Sequence, residues 1–335
     1  MKTYIYCKML TSLRRQISKM YVKRHPEVST KPITIERKRE LTRIFLESEY
    51  KHDAIEHTLN KVDEITTLKL NEVTLNVLGK PPSLILCKKV IARVATLVHI
   101  FSGESIEMWW LPCDIPRYLP LKNEVISPDH INGGFAFPRQ RTIYIFRKDE
   151  FPKVALHEAF HTIPLIHTDR WNSADLLEMY KQLHMDMRYC TVECMECCNT
   201  KLEPNEAIVE TWAILFQILF ICYELNVDLP TLHKMIDTEI QLGYHNSSLL
   251  VDRGALDPTQ EWKEDTHLFS YIILKTVLLS HLNEFLTLKR PYNPTEVTHF
   301  LLKYIKSPNF LINLHKNKGI FESMNSFRFG WFSDL

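Results

Sequence analysis

Apolar positions along this chain recur mostly at helical spacing. Residues 34–50 carry an apolar side chain every three or four positions among charged ones and predict an amphipathic helix. A second helix is expected from about residue 54 into the 60s. Pro81 and Pro82 interrupt the chain, and 83–102 reads as another helix. After Gly103 the period shortens. Residues 105–111, with Ile106, Met108, Trp109 and Trp110, predict a strand. Pro112, Pro116 and Pro120 mark a long loop, Gly133-Gly134 a turn, and 141–147 (RTIYIFR) a second strand. From Asp149 the helical period returns, over 150–166, 172–187, 204–225, 229–241, 263–287, 294–306 and 308–316. Helices, a short β section, then helices again define an α+β architecture that is mostly helical. No internal repeat or low-complexity tract is present.

Composition adds bounds. With 335 residues, 45% hydrophobic and 24% charged, the chain can bury a sizeable core as one large domain or two smaller ones. A net charge of +1 gives no general reason to expect nucleic acid or an anionic membrane as partner. The longest apolar run, 213–222, is too short to span a bilayer and reads as a buried helix, so no integral membrane segment is expected. The eight cysteines form no even framework, and no secretory signal pattern is read at the N-terminus. An intracellular location is expected. Residues 1–26 lack Asp and Glu but hold Lys2, Lys8, Arg14, Arg15, Lys19, Lys23 and Arg24. They read as a solvated basic arm, with a mitochondrial address as the alternative. Residues 27–33 read as a linker.

The chemistry concentrates at 157–161, His-Glu-Ala-Phe-His. On a helix, His157 and His161 lie one turn apart on one face, so both imidazoles can address one ion. Glu158 sits beside the first histidine, able to hold a water without binding the metal. Zinc lowers the pKa of such a water, and the carboxylate takes its proton. Val154, Ala155, Leu156, Phe160 and Ile163 make this helix apolar around its polar triplet. Buried polar groups need partners, and a metal supplies them. A zinc hydrolase also needs a third protein ligand. Glu206 and Glu210 share one face of the helix that runs into 213–222. Two buried carboxylates one turn apart are unfavourable without a cation. One on the metal and one on a histidine N–H resolves that.

Together, His157-Glu158-x-x-His161 and Asn205-Glu206-x-x-x-Glu210 resemble the gluzincin metallopeptidases, the thermolysin-like branch of the zincins. The resemblance covers a minor part of the chain. It implies a zincin-like core over about 103–290, a small mixed sheet with the two motif helices. It also implies one catalytic zinc held by His157, His161 and Glu206, with Glu158 as general base, Glu210 as outer partner, and a peptide or protein substrate. Glu210 stands where thermolysin-like members carry Asp, and the stretch between the motifs is longer than in compact members. In zincins the sheet's edge strand lines the substrate cleft, the place in which 141–147 stands. An exposed edge can pair with an extended peptide. Shorter segments, 132–135 (NGGF) and 267–275 (HLFSYIILK), resemble uncharacterised metallopeptidases of large DNA viruses, which implies a viral protein, cytoplasmic or virion-borne.

Zinc peptidases commonly add a Tyr or His donor where the oxyanion develops. His267, Tyr271 and Lys275 form a polar stripe on an apolar helix, and His267 or Tyr271 is the candidate, with Tyr244-His245 competing. Cys190, Cys194, Cys197 and Cys198 crowd one segment near His184. They read as unligated thiols, with a second, structural zinc as the alternative. The Asn246-Ser-Ser acceptor is discounted without a signal peptide. The rest of the chain divides into a basic arm and linker (1–33), a helical N-terminal region (34–102) and a C-terminal helical region (291–335). Against the peptidase stand two other readings: a non-catalytic structural or virion protein retaining the fold, and a non-haem iron site of two histidines and a carboxylate.

Overall fold

The computed structural model describes residues 2–47, 53–101, 104–121, 124–163, 178–179, 182–183, 204–257, 259, 262, 264–321 and 327–335. Among these, six strands form one mixed sheet: β1 (Glu27–Pro32), β2 (Glu64–Leu70), β3 (Val73–Leu78), β4 (Ile106–Cys113), β5 (Gly134–Phe137) and β6 (Thr142–Arg147). Their spatial order is β1-β2-β3-β4-β6-β5. The first three are antiparallel, β3, β4 and β6 run parallel, and β5 returns antiparallel along the outer edge. The helices are α1 (Lys2–Met20), α2 (Ile35–Glu47), α3 (Asp53–Asn60), α4 (Leu84–Phe101), α5 (Pro128–Ile131), α6 (Phe151–His161), α7 (Pro204–Glu224) and α8 (Leu229–Asp252). A π-helical segment (Ser270–Leu274) then leads into α9 (Lys275–Ser280), α10 (Leu282–Phe285), α11 (Pro294–Ile305) and α12 (Pro308–Asn317). The fold is α+β and mostly helical, as the pattern predicts.

Alternation along β4 explains the layers. Successive side chains of a strand point to opposite faces. Ile106, Met108 and Trp110 join the large core shared with α4, α6 and α7. Trp109, Leu111 and Cys113 join a smaller core with Leu41 and Phe45 of α2 and Ile55 and Leu59 of α3. Each large apolar side chain so buried contributes roughly 1.5–3 kcal/mol. Trp110 stacks flat on Phe151, ring centroids 3.7 Å apart, which seats the start of α6 under the sheet. The central helix α7 is long and apolar enough, by length and composition, to cross a membrane. Here 94% of that apolar window is buried inside the fold.

Several expectations need correction. The basic N-terminus is α1, not a solvated arm: Leu10, Leu13 and Ile17 recur at helical spacing and are buried. Residues 27–33, expected as a linker, carry β1, and the expected helix from 54 stops at Asn60 before the hairpin β2–β3. The strand at 141–147 is not the edge: β6 lies between β4 and β5, and β5 takes that place. Gly133-Gly134 is the entry to β5 rather than a turn. The helix expected over 263–287 is broken into the π-helical segment and two short helices, and α8 runs on to Asp252. The predicted helix 172–187 falls almost wholly outside the described residues. Cys190, Cys194, Cys197, Cys198 and His184 lie outside them altogether.

One buried residue sets the approach to β5. Arg147, at the end of β6, donates to four backbone carbonyls: Asn132 (2.5 Å), Ile115 (2.7 Å), Pro116 (2.8 Å) and Asp129 (2.5 Å). The loop between β4 and β5 is thereby gathered around a single guanidinium.

Candidate metal centre

Helix α6 begins at an unusual residue. Glu150 precedes it with φ 59°, a left-handed conformation that costs a non-glycine residue about 1–2 kcal/mol. Its fully buried carboxylate is held by Arg117 Nη1 and by the backbone N–H groups of Phe329 and Gly330, each 3.1 Å from Oε1. From Phe151 to Phe160 every side chain of α6 is buried. His157 and Glu158 are therefore presented from a rigid element.

His157 Nδ1 lies 2.7 Å from Glu210 Oε2. Because a carboxylate accepts, Nδ1 donates a proton to Glu210, and Nε2 is the ring atom left to face an ion. Lys153, one turn before His157, donates to both oxygens of Glu210, at 2.9 and 3.2 Å. Glu210 is thus satisfied on both oxygens. Glu206 is not. Its Oε2 is buried and takes no hydrogen bond among the described residues, although it lies 3.3 Å from Nε2 of His157 and 3.3 Å from Nε2 of His161. The two Nε2 atoms are 3.1 Å apart.

These three electron-rich atoms form a nearly equilateral triangle. A zinc ion about 2.0–2.1 Å from each of its ligands, in tetrahedral geometry, spaces them about 3.3 Å from one another. The donor set and its spacing fit zinc with a fourth position open. The ligand atoms of Glu158 also fall within 4.8 Å of those of the two histidines. Either carboxylate could complete a three-residue set with the histidines: Glu206 Oε2 at 3.3 Å from both Nε2 atoms, or Glu158 within 4.8 Å.

Charge in this cluster is strongly coupled. Burial alone disfavours the His157 imidazolium, yet the adjacent carboxylates of Glu206 and Glu210 outweigh that and hold its pKa up at about 10. His161 is likewise pulled up, against burial, by Glu206. Burial raises Glu158, partly opposed by the two histidines. Burial would raise Glu206 and Glu210 as well, but His161 takes Glu206 far below the usual range and Lys153 does the same for Glu210. Carboxylates outnumber fixed cations here, so protons hold the place that a metal cation suits.

Of the polar stripe, Tyr271 lies beside the histidines. The Tyr271 ring lies 5.6 Å from that of His157, and His267 lies 6.0 Å from Tyr271. Lys275, fully buried, donates to the carbonyl of Phe329 at 2.7 Å. Tyr271 sits in the π-helical segment, a local widening common at functional sites. Tyr244-His245 faces elsewhere: Asn313 of α12 donates to the Tyr244 hydroxyl, and His245 packs near Phe321. Cys87, Cys113 and Cys222 are buried free thiols pushed up by burial to about 12, 11 and 11, values that leave them protonated and inert.

Sequence reasoning missed Lys153, Arg117 and Phe329, which line a small cavity against His157 and Glu158. Lys153 had a signal, its four-residue spacing from His157. Arg117 and Phe329 reach the site from distant parts of the chain and had none. Comparison with family models, with curated proteins and with solved structures returns no match.

Proposed function

We propose that this protein is a zinc-dependent peptide hydrolase built on a zincin-like core. The observation that carries the reading is the triangle of His157 Nε2, His161 Nε2 and Glu206 Oε2, with its unpartnered oxygen and 3.1–3.3 Å sides. A bound zinc supplies Lewis-acid polarisation of a carbonyl and lowers the pKa of water. Glu158 takes the proton from the attacking water and returns it to the leaving amine. Glu210, held by Lys153, fixes the His157 ring and its tautomer. Tyr271 is the nearer candidate for a donor to the developing oxyanion, and His267 stands behind it.

A peptide substrate is favoured by β5. This strand pairs with β6 on one side only, and its other edge carries no strand among the described residues. Gly134 brings its backbone against Glu158: a Cβ there would lie 3.4 Å from Glu158 Cγ. An extended peptide hydrogen-bonded along this edge passes directly over the general base.

Metal content of purified wild-type, His157→Ala and Glu206→Ala proteins, read by mass spectrometry beside hydrolysis of a peptide library, tests the reading. About one zinc per chain in wild type, lost in both variants, with chelator-sensitive cleavage, is the expected result. A wild-type protein that takes up no zinc after add-back overturns it.

A further inference from the structure

The cavity beside Glu158 holds one guanidinium nitrogen that the hydrolytic chemistry does not use. Its lining includes Arg117, Gly133, Lys153, Glu158, Glu210 and Phe329. Arg117 is 3% exposed. Its Nε donates to the carbonyl of Ile131 at 2.6 Å, and its Nη1 pairs with Glu150. Nη2 makes no hydrogen bond among the described residues, so two of the five guanidinium N–H groups remain unspent. This nitrogen stands where a side chain at 133 would be: a Cβ on Gly133 would lie 2.5 Å from it. Glycine at 133 therefore leaves Nη2 open to the cavity. Lys153 spends donors on both oxygens of Glu210, which neutralises that carboxylate. The Phe329 ring closes the wall, with the Arg117 guanidinium 5.0 Å and the Lys153 ammonium 4.8 Å from its centre.

We propose that this cavity is a carboxylate-binding subsite anchored by Arg117 Nη2, selecting peptides that carry a negative charge beside the cleaved bond. The inference rests on the hydrolase reading above. The cavity, about 20 Å³, has room for little more than one water, so it takes a small polar tip rather than a ring or a long apolar chain. A carboxylate matches it: a guanidinium binds carboxylate oxygens through charge-assisted hydrogen bonds, stronger than those to an amide of the same shape. The carboxylate comes from an acidic side chain or from a peptide's free C-terminus.

The test uses zinc-loaded full-length protein and three matched peptide sets: Glu placed at each successive position with an amidated end, the Gln equivalents with an amidated end, and the Gln equivalents with a free end. Cleavage is read as kcat/KM. Binding of the same peptides is read by calorimetry on Glu158→Gln protein, which does not turn over. The expected result is a preference of about tenfold or more for one carboxylate-bearing set over the amidated Gln set. Which set wins identifies the source. Arg117→Lys keeps a cation for Glu150 but removes the fork, and the preference is expected to fall toward one. Gly133→Ala, whose methyl group collides with Nη2, should act in the same direction and serves if Arg117→Lys does not fold. Equal treatment of all three sets by wild type, or a preference that survives both substitutions, overturns the subsite. Cleavage without charge preference leaves the hydrolase reading standing and removes this one. Binding preference in Glu158→Gln protein without cleavage by wild type does the reverse.

Discussion

Helix α7 carries two buried polar clusters, and they are finished differently. At its C-terminal end, Arg93 of α4 meets Glu224 in a two-pronged pair, Nε to Oε1 at 2.8 Å and Nη2 to Oε2 at 2.6 Å. The same guanidinium reaches Gln217 at 2.9 Å and the Leu335 carbonyl at 2.8 Å. Tyr21 adds a hydrogen bond to Glu224, and the Gln217 amide donates to the Phe332 carbonyl. Every nitrogen of the Arg93 guanidinium and both oxygens of Glu224 have partners. At the N-terminal end, Glu210 is equally complete, but Glu206 Oε2 takes no hydrogen bond among the described residues and lies 3.3 Å from Nε2 of both histidines. A closed cluster holds elements together. One left open by a single buried oxygen between two imidazoles is the candidate place for an ion.

Substitutions on the two clusters should separate stability from chemistry. The largest effect is expected at the open one. Glu158→Gln should lower kcat/KM for peptide hydrolysis about a thousandfold while zinc content by mass spectrometry stays at the wild-type level. If zinc is lost as well, Glu158 is a ligand rather than the base. At the closed cluster, Arg93→Met strands the Glu224 carboxylate and the Gln217 amide. A loss of about 3 kcal/mol in denaturant unfolding is expected, with zinc stoichiometry unchanged. Smaller again is the effect of Glu210→Gln, which removes the charge that orients His157. Zinc affinity measured by chelator competition should weaken about 10–100-fold. The smallest effect is the most diagnostic. Glu206→Gln should lower metal-free stability by only about 1 kcal/mol, because the amide keeps its place beside His157 and His161 and loses only the charge that favours their protonated forms. Chelator should lower the Tm of wild type but not of this variant. A large loss of metal-free stability in Glu206→Gln would make the two clusters alike and end the distinction.

Some of this was legible in the residues. The α+β order, the strands around 105–111 and 141–147, and the placement of Glu206 and Glu210 on one helix follow from local period and spacing. The stripe of His267, Tyr271 and Lys275 is likewise a local pattern. What was not legible depends on pairing at a distance. β1 (EVSTKP) is exposed along its length and has no alternation to read; it is a strand only because it pairs with β2. β5 has four residues, too few to signal, which leaves β6 reading as the edge. The charges of α1 masked its apolar spacing of Leu10, Leu13 and Ile17. Arg117, Glu150 and Phe329 meet across more than 200 residues of chain, and no window contains them.

The clamp formed by Arg147 bears on the order in which the centre assembles. Its four carbonyl partners belong to separate stretches of the β4–β5 loop, and none can be gathered until β6 has carried the guanidinium into the interior. The loop cannot then fray one bond at a time, since releasing any single carbonyl leaves a buried cation under-solvated. The opening of the clamped stretches is tied to that of the sheet, and amide exchange over 115–117 and 129–132 should share the slow, cooperative rate of β6 rather than that of an ordinary surface loop.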